Sequence, residues 1–503
     1  MLDEKFINLK KNENNSYLFT NVAFAFFPIS FVLGSLIVNL NLVLICCLGF
    51  YHLKFKIINT KLDITFKIIF IFFLAIFFST CLSFFKAIYF NSFESIFLIA
   101  SCDSTNCAYP LEKLIKSILF FRYFLFLLIV YLLKKFGFLN FKYFFLVITL
   151  TGVIVSLDIV FQYFFGFNTI GLKSSGFVNS GFFGDEKIAA TYIQRFAFFS
   201  IFFVLVTFKD KNYLQIPSTI ILLCILFTGI LFAGSRMPLI LFFLGLILLF
   251  FTKVKIKKVL LVTFVIMFAI LQILVSANPT YKTNLINNYS SFYGNVLNIF
   301  SITRFIPSFK KDSDDRAKPG IQKWHKTRSF EENGVRKSRT LFYVVVHESH
   351  HRRLINTSVD TWKENKIFGN GIKSFREDCW KFKSDPNVNL GMDIYPNKKN
   401  RLCSNHPHNY YFEILTETGI VGLLIILIIA VRFAVFAFRK FRLLTHTNFE
   451  SFILLSAIIS LILETFPVKS TGSLFSTNNA TYIVLVAAII ISQKTVGKIT
   501  KNK

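Results

Sequence analysis

Long apolar stretches alternate with short polar connections through most of the chain. A helix needs about 17 to 25 apolar residues to cross a membrane, and such stretches recur before residue 277 and after residue 409. The pattern predicts an all-α polytopic membrane protein with about twelve spanning helices. The predicted spans are residues 17–34, 36–52, 66–86, 113–133, 141–161, 188–208, 215–232, 237–252, 258–276, 410–431, 449–466 and 476–492.

The spans divide the chain into three regions. Residues 1–276 form an N-terminal membrane bundle of about nine spans. Residues 277–409, here named the long connection, form one large loop outside the cytoplasm. Residues 410–503 form a C-terminal bundle of about three spans with a tail. No cleavable signal peptide is expected, because the N-terminus carries mixed charge and its first apolar stretch leads directly into a second.

Basic residues indicate which side of the membrane each connection occupies. They collect in every second connection, which is the pattern of cytoplasmic loops. Both termini are therefore expected in the cytoplasm and the long connection on the outer face. The basic connections contain Lys54, Lys56, Lys61, Lys67, Lys134, Lys135, Lys142, Lys209, Lys211, Lys253, Lys255, Lys257, Lys258, Arg439, Lys440 and Arg442.

Composition excludes an ordinary soluble protein. Hydrophobic residues make up 54% of the 503 residues, 67 of them are phenylalanine, and the mean hydropathy is +0.57. The net charge of +29 would suit a nucleic-acid partner. Because the lysines sit in short runs beside the spans, we read the charge as a topology signal and expect no nucleic-acid partner.

Four cysteines lie in connections that are expected on the outer face. Cys102 and Cys107 share one connection, and Cys379 and Cys403 share the long connection. Disulfides form in oxidising compartments, so the two pairs are candidate disulfides that each close a loop. Pairing is not fixed by sequence, and four free thiols are the alternative.

The long connection shows a few local patterns. Its charged part, 310–339, is typical of a flexible loop, and the apolar run 341–346 reads as a strand. Apolar residues at helical spacing in 352–365 predict an amphipathic helix lying against the membrane. The glycines of 369–371 then predict a turn.

A zinc-site pattern falls between the predicted strand and this helix. His347, Glu348 and His351 match the His-Glu-x-x-His motif of metalloproteases, in which two histidines bind zinc and the glutamate is the base. Glu364 or Glu377 could supply a third ligand. The preceding strand and the crowding of arginines disfavour a dication here. A membrane metalloprotease is therefore kept as a distant alternative.

Arg236 occupies a very short turn between two apolar helices. It could simply extend to the lipid headgroups, but an arginine in a short outer turn runs against the usual charge bias. A guanidinium at that depth suits a phosphate or diphosphate ligand. His408 likewise stands just before an apolar helix. It is either an ordinary polar residue at the membrane interface or a catalytic base.

The order of these motifs resembles the O-antigen ligase and polymerase superfamily of bacterial envelope enzymes. The motifs are 234–236 between two spans, 369–375 late in the single large loop, 408–410, and 417–419 at the next helix. The resemblance covers most of the chain. Departures are Met237 and Pro238 after the arginine and the charged insertion 310–351. Further matching positions are Asp158, Gln162, Gly166 and 180–183.

The resemblance implies a metal-independent transferase that needs no cofactor. Its donor would be a glycan on undecaprenyl diphosphate, and its acceptor lipid A-core, at the periplasmic face of the bacterial inner membrane. Arg236 and Arg353, with Arg352 as neighbour, would hold the diphosphate, and His408 would be the base. An O-antigen polymerase or a protein O-oligosaccharyltransferase of the same superfamily is the alternative.

Three further residues are expected to support the site. Asn409 and Tyr411 flank the start of the helix after His408. Glu417 lies nine residues after His408, about half a helical turn round, so it is expected to be a buried structural residue and not the partner that orients the histidine. Cationic neighbours are expected to keep His408 neutral.

Overall fold

The computed structural model describes residues 15–90, 110–277, 321–346, 350–382, 401–443 and 449–499, apart from 58, 175–177, 253, 255 and 333–334. Helices dominate these residues, because a backbone in lipid must satisfy its own hydrogen bonds. Helices α1 to α10 precede the long connection. They are Asn15–Ala25, Phe27–Leu33, Ser35–Leu53, Ile64–Phe90, Pro110–Lys135, Lys142–Phe165, Ala189–Thr207, Asn212–Phe232, Arg236–Phe250 and Lys257–Ala277.

Two strands and five more helices follow. Strands β1 (Ile321–Glu332) and β2 (Val335–Val346) precede helices α11 to α15, which are His350–Glu364, Phe375–Asp378, Tyr410–Leu443, Phe449–Glu464 and Thr477–Ile499. Short 3-10 turns occur at Lys54–Lys56, Gly181–Phe183 and Cys379–Phe382.

The prediction of a helical membrane protein is confirmed. Within the described residues, eight helices are long and apolar enough to span a membrane by length and composition. Every predicted span overlaps a helix, while the count of twelve crossings and the orientation of the loops stay predictions. The eight helices are α3 to α8, α10 and α13.

The first predicted span is not one helix. It divides into α1 and α2, and α3 begins directly after it. Pro28 stands at the start of α2, where it lacks an N–H for the preceding turn. Gly34, between α2 and α3, has a φ of 105°, a conformation open to glycine. The break therefore follows from two residues within an otherwise apolar stretch.

The long connection contains a β-hairpin in addition to helices. β1 and β2 pair antiparallel, from Ile321 opposite Val346 to Glu332 opposite Val335. The predicted strand 341–346 is confirmed as the end of β2. The prediction of flexible loop is wrong for 321–332 and 335–339, since their backbones are paired with each other and with 341–346. The all-α class therefore holds apart from this hairpin.

Seven helices pack around the region that contains the candidate site. α14 packs against α7, α9 and α15, and α13 packs against α4 and α11. Gly245 of α9 lies so close to the Phe198 ring of α7 and to Leu463 of α14 that a side chain there would overlap both. This close contact sets α9, which begins at Arg236, against the helices that carry Arg195 and Glu464.

Candidate functional site

Asn409 begins helix α13 and fixes the residue before it. Its side-chain oxygen accepts hydrogen bonds from the N–H groups of Tyr411 (3.0 Å) and Phe412 (3.3 Å), which is the role of a helix N-cap. Its amide donates to the carbonyl of Pro467 at 2.8 Å. Asn409 therefore ties the start of α13 to the connection between α14 and α15.

His408 is held in an uncommon backbone conformation. Its φ is 57°, in the left-handed region that residues other than glycine seldom adopt. Its carbonyl accepts the N–H of Thr471 at 3.0 Å. The backbone around His408, here named the His408 bend, is hydrogen-bonded on both sides. It therefore holds the imidazole in one position.

Three histidine rings meet at this bend. The rings of His406 and His408 have centroids 4.2 Å apart, and the ring of His351 stands edge-on to His408 at 5.9 Å. His351 belongs to α11, so this contact joins the long connection to the start of α13. Within the described residues, no group of three or more His, Cys, Asp or Glu side chains could hold a metal ion.

Burial is the main cause of the lowered pKa values of His406 and His408. It lowers the pKa of His408 below its ordinary value, and a hydrogen bond to the Thr471 backbone works in the opposite direction. Burial also lowers the pKa of His406 to about 4, with His408 and Arg376 acting in the same direction. The neutral form of His408 is thus favoured as expected, but by burial and not by cationic neighbours.

Arg352 and Arg353 lie in the first turn of α11, next to His351 in the chain. Both are half-buried. A disulfide between Cys379 and Cys403 crosses the region behind α11, where Leu354 packs against Cys379. The helix that carries the two arginines is therefore fixed to the segments on either side of it.

Other bonds hold the same helix. Asp360 of α11 accepts a hydrogen bond from Arg401 at 2.6 Å, and the Thr357 hydroxyl accepts the N–H of Leu402 at 3.2 Å. Cys102 and Cys107 lie outside the described residues, as do His347 and Glu348 of the zinc-site pattern.

Arg236 is the first residue of α9 and is half-buried. The turn before it contains Gly234, whose φ is 74°. Through α9, Arg236 is connected to α7 and α14. The structure thus places the predicted diphosphate arginines on two separate elements, α9 and α11.

The turn at 369–371 fills a break in helix α13. Gly419 has a φ of 66° and a ψ of −166°, which interrupts the helix. The N–H groups of Asn370 and Gly371 donate to the carbonyls of Thr416 (3.0 Å) and Glu417 (2.9 Å). On the other side of the break, Ile420 and Val421 donate to the carbonyls of Lys366 (3.0 Å) and Ile367 (3.2 Å).

Glu417 is buried and takes part in this docking. Its carboxylate accepts the N–H of Lys373 at 2.6 Å, and its carbonyl accepts the Ser79 hydroxyl at 2.7 Å. These contacts fit the structural role that the sequence suggests for it. Burial lowers the pKa of Lys373 from its ordinary value, with Arg376 as a further cause.

Arg376 is a site residue that sequence reasoning missed. It acts electrostatically on His406, Glu413 and Glu417, so its guanidinium lies among groups from both sides of the His408 bend. Glu413 is fully buried and accepts hydrogen bonds from Ser473 and from the N–H of Leu474 (2.6 Å). The only signal in the sequence is the position of Arg376 shortly after the glycine turn.

A second charged group was also missed. Glu464, at the end of α14, accepts two hydrogen bonds from Arg195 of α7, at 2.9 and 2.6 Å. It also accepts bonds from Lys469 (2.6 Å) and from the Tyr410 hydroxyl (2.7 Å). Burial lowers the pKa of Lys469, and Glu464 opposes that change. The Tyr411 hydroxyl donates to the Thr465 carbonyl at 2.6 Å, so both tyrosines anchor α13 to α14.

Comparison with known proteins gives one family. Residues 220–427 match the family model described as O-antigen ligase. The match runs from within α8 to within α13, and therefore contains Arg236, Arg353 and His408. No curated protein matches the chain.

Proposed function

Residues 220–427 place this chain in the O-antigen ligase family, and from that premise we propose that it transfers a glycan from undecaprenyl diphosphate to lipid A-core. The reaction would take place at the periplasmic face of the bacterial inner membrane. The donor, the acceptor and the side of the membrane all belong to the proposal. The match agrees with the resemblance that the sequence motifs suggest.

The setting of His408 is the observation that carries the proposal. Its imidazole is half-buried, and desolvation lowers its pKa below the ordinary value, so the ring is neutral near pH 7. A neutral imidazole carries its proton on one ring nitrogen. The other nitrogen then has a lone pair with which to accept a proton from a hydroxyl.

The proposed reaction is a direct displacement at the anomeric carbon. The acceptor oxygen forms a bond to this carbon while the bond to the diphosphate oxygen breaks, and the hydroxyl proton passes to His408. Undecaprenyl diphosphate leaves with the bonding electrons. The configuration at the anomeric carbon is inverted, because attack and departure occur on opposite faces.

Arginines supply the charge that the leaving diphosphate needs. Arg236 and Arg353, with Arg352 beside it, are proposed to hold the phosphates through paired hydrogen bonds. Fixed cations at a site that excludes water stabilise developing negative charge strongly. Arg376 adds a further positive charge close to the His408 bend.

The proposed location also rests on the basic connections. With both termini in the cytoplasm, the long connection lies in the periplasm. A disulfide between Cys379 and Cys403 suits that oxidising compartment. The fold thus supports the same orientation as the charge pattern.

Two alternatives share the chemistry and differ in the acceptor. An O-antigen polymerase would add the glycan to another carrier-linked repeat, and a protein O-oligosaccharyltransferase would add it to a protein hydroxyl. A glycan profile of a deletion strain separates the three. Loss of long glycan on lipid A-core indicates a ligase, single-repeat capping a polymerase, and unmodified secreted protein the third enzyme.

A reconstituted transfer assay tests the proposed chemistry. The full chain in lipid nanodiscs is given a carrier-linked glycan and lipid A-core. His408→Ala should reduce transfer by about 100-fold or more, as expected for loss of a general base, and should still bind the carrier. Arg236→Gln should instead weaken carrier binding. Full transfer by the His408→Ala protein would refute the base assignment.

The distant metalloprotease alternative needs a separate control. Glu348→Gln or a chelator should abolish proteolysis through His347, Glu348 and His351 if that pattern binds zinc. Glycan transfer should be unchanged by either treatment.

A further inference from the structure

A cavity of about 290 Å³ lies beside the His408 site. Its walls come from α7, from the start of α15 and from the connection between α14 and α15. Its volume is close to the lower end of small-molecule pockets, which range from about 300 to 1,000 Å³. The residues that line it and bear on its chemistry are Arg195, Lys469, Thr471, Tyr192, Tyr410 and Tyr482.

The buried charges around this cavity do not cancel. Arg195 and Lys469 both donate to the one carboxylate of Glu464. Their side chains are 11% and 5% exposed, while Glu464 is fully buried. Glu186 at the rim is exposed to solvent, where water and salt screen its charge. The inner wall therefore has one positive charge in excess.

The cavity also contains polar atoms that have no protein partner. The Thr471 hydroxyl is buried and lacks a hydrogen bond within the described residues, as does the side-chain oxygen of Asn478. Thr471 is only 6% exposed. Buried polar atoms are normally satisfied, so these two are available to a bound polar molecule.

Aromatic rings form other parts of the wall. The Tyr482 ring already carries the Arg195 guanidinium at 4.7 Å from its centroid, and Tyr192 and Phe196 also line the cavity. A pocket that combines aromatic faces with a few hydrogen-bonding groups suits a sugar ring, which is apolar on its C–H faces and polar at its edges.

The position of the cavity connects it to the proposed base. Thr471 lines the cavity, and its N–H binds the His408 carbonyl at 3.0 Å. Tyr410, two residues after His408, lines it as well. A molecule held there lies on the side of His408 formed by α7, α15 and the connection between α14 and α15, while Arg352 and Arg353 belong to α11.

We propose that this cavity binds an acidic sugar residue of the acceptor glycan, one with a single carboxylate or phosphate. Its negative charge would meet Arg195 and Lys469, and its hydroxyls Thr471 and Asn478. The acceptor hydroxyl would then lie beside His408. This inference rests on the proposed function, because that function makes the bound sugar part of the acceptor. Binding of an acidic sugar can nevertheless be measured without any transfer.

Free monosaccharides test the binding. Glucuronate, glucose 6-phosphate and glucose are titrated against the full chain in nanodiscs by ligand-observed NMR. At least one acidic sugar should bind about tenfold or more tightly than glucose, as expected for hydrogen bonds to charged groups. Whether glucuronate or glucose 6-phosphate binds better identifies the acidic group. Equal binding of all three sugars would overturn the proposal.

Two substitutions connect this binding to the cavity. Thr471→Val removes a hydroxyl that has no protein partner, and Lys469→Met leaves Glu464 paired with Arg195. Each should weaken binding of the acidic sugar about tenfold. Thr465→Val is the matched control, because its hydroxyl bonds to Leu461 and it does not line the cavity. Unchanged affinity in both cavity variants would refute the site.

Transfer kinetics test the assignment to the acceptor. The better acidic sugar should inhibit competitively with the acceptor and not with the carrier-linked donor, and the opposite pattern would overturn that assignment. Arg236→Gln should lose transfer yet keep sugar binding. A chain that binds the acidic sugar but transfers no glycan would contradict the proposed function alone.

Discussion

The backbones of Gly369 and Gly419 lie in direct contact, so that a Cβ added to Gly369 would be 2.5 Å from the Gly419 nitrogen. Both glycines have positive φ, 73° and 66°. One belongs to the turn of the long connection and the other to the break in α13. The contact explains why two glycine motifs separated in sequence occur together in this chain.

Gly369→Ala should prevent the turn from docking into α13. The added methyl would overlap backbone atoms of Thr418 and Gly419, which cannot rotate away. Transfer should fall about 100-fold, the usual cost of misplacing reacting groups by an ångström. Gly137→Ala is the control, because it has a φ of 81° and open space around it. Equal activity of the two variants would refute the docking argument.

Substitution should separate the two roles of Asn409, which caps α13 and donates a hydrogen bond to Pro467. Asn409→Ala removes the acceptor for the N–H of Tyr411 and should lower the free energy of unfolding by about 1 kcal/mol. Asn409→Asp keeps that acceptor but cannot donate to Pro467, so it should retain the cap and still lose transfer. Denaturation in detergent and the transfer assay measure the two effects. Equal loss of stability in both variants would contradict the assignment of the cap.

Reduction of the Cys379–Cys403 disulfide should destabilise the long connection. The bond closes a loop with a sequence separation of 24, for which the chain-entropy model gives about 3 kcal/mol. The double substitution to alanine should lower the Tm and reduce its dependence on reductant, to which the candidate pair Cys102 and Cys107 can also contribute. Cys224→Ala, which removes a free cysteine, should keep the wild-type response. A wild-type Tm that reductant leaves unchanged would contradict the prediction.

The pH profile of transfer should report His408. Burial lowers its pKa in the folded protein, so the neutral base persists below the ordinary value of about 6.5. More than half of the activity should remain at pH 6.5, and the rest should be lost as the pH falls through the lowered pKa. In a His406→Gln variant the acid limb should stay in place, because His406 titrates near 4. An acid limb above pH 6.5 would contradict the prediction.

Much of this structure could be predicted from local patterns in the sequence. Runs of apolar residues marked the helices, and the order of short motifs around Arg236 and His408 indicated the family. The break at Pro28 and Gly34 could not be placed by apolarity alone, since both halves are equally apolar. Strand β1 was missed because a paired backbone tolerates many charged residues, which composition reads as loop.

The missed site residues depend on contacts between distant parts of the chain. Arg195 and Glu464 are 269 residues apart, and neither stands in a motif. Each would be costly in a membrane without the other, but no local pattern says which opposite charge will arrive beside it. Arg376 was missed for the same reason, because its neighbours His406 and Glu413 come from another segment.

The ion pairs that Arg195 and Lys469 form with Glu464, here named the clamp, also constrain how the protein is made. Arg195 leaves the ribosome 269 residues before Glu464, and synthesis at about 5 to 20 residues per second makes that interval roughly 15 to 50 s. During this time α7 holds a guanidinium whose carboxylate partner does not yet exist. The nascent bundle must therefore keep Arg195 hydrated until α14 inserts, and closure of the clamp marks the late joining of the two membrane bundles.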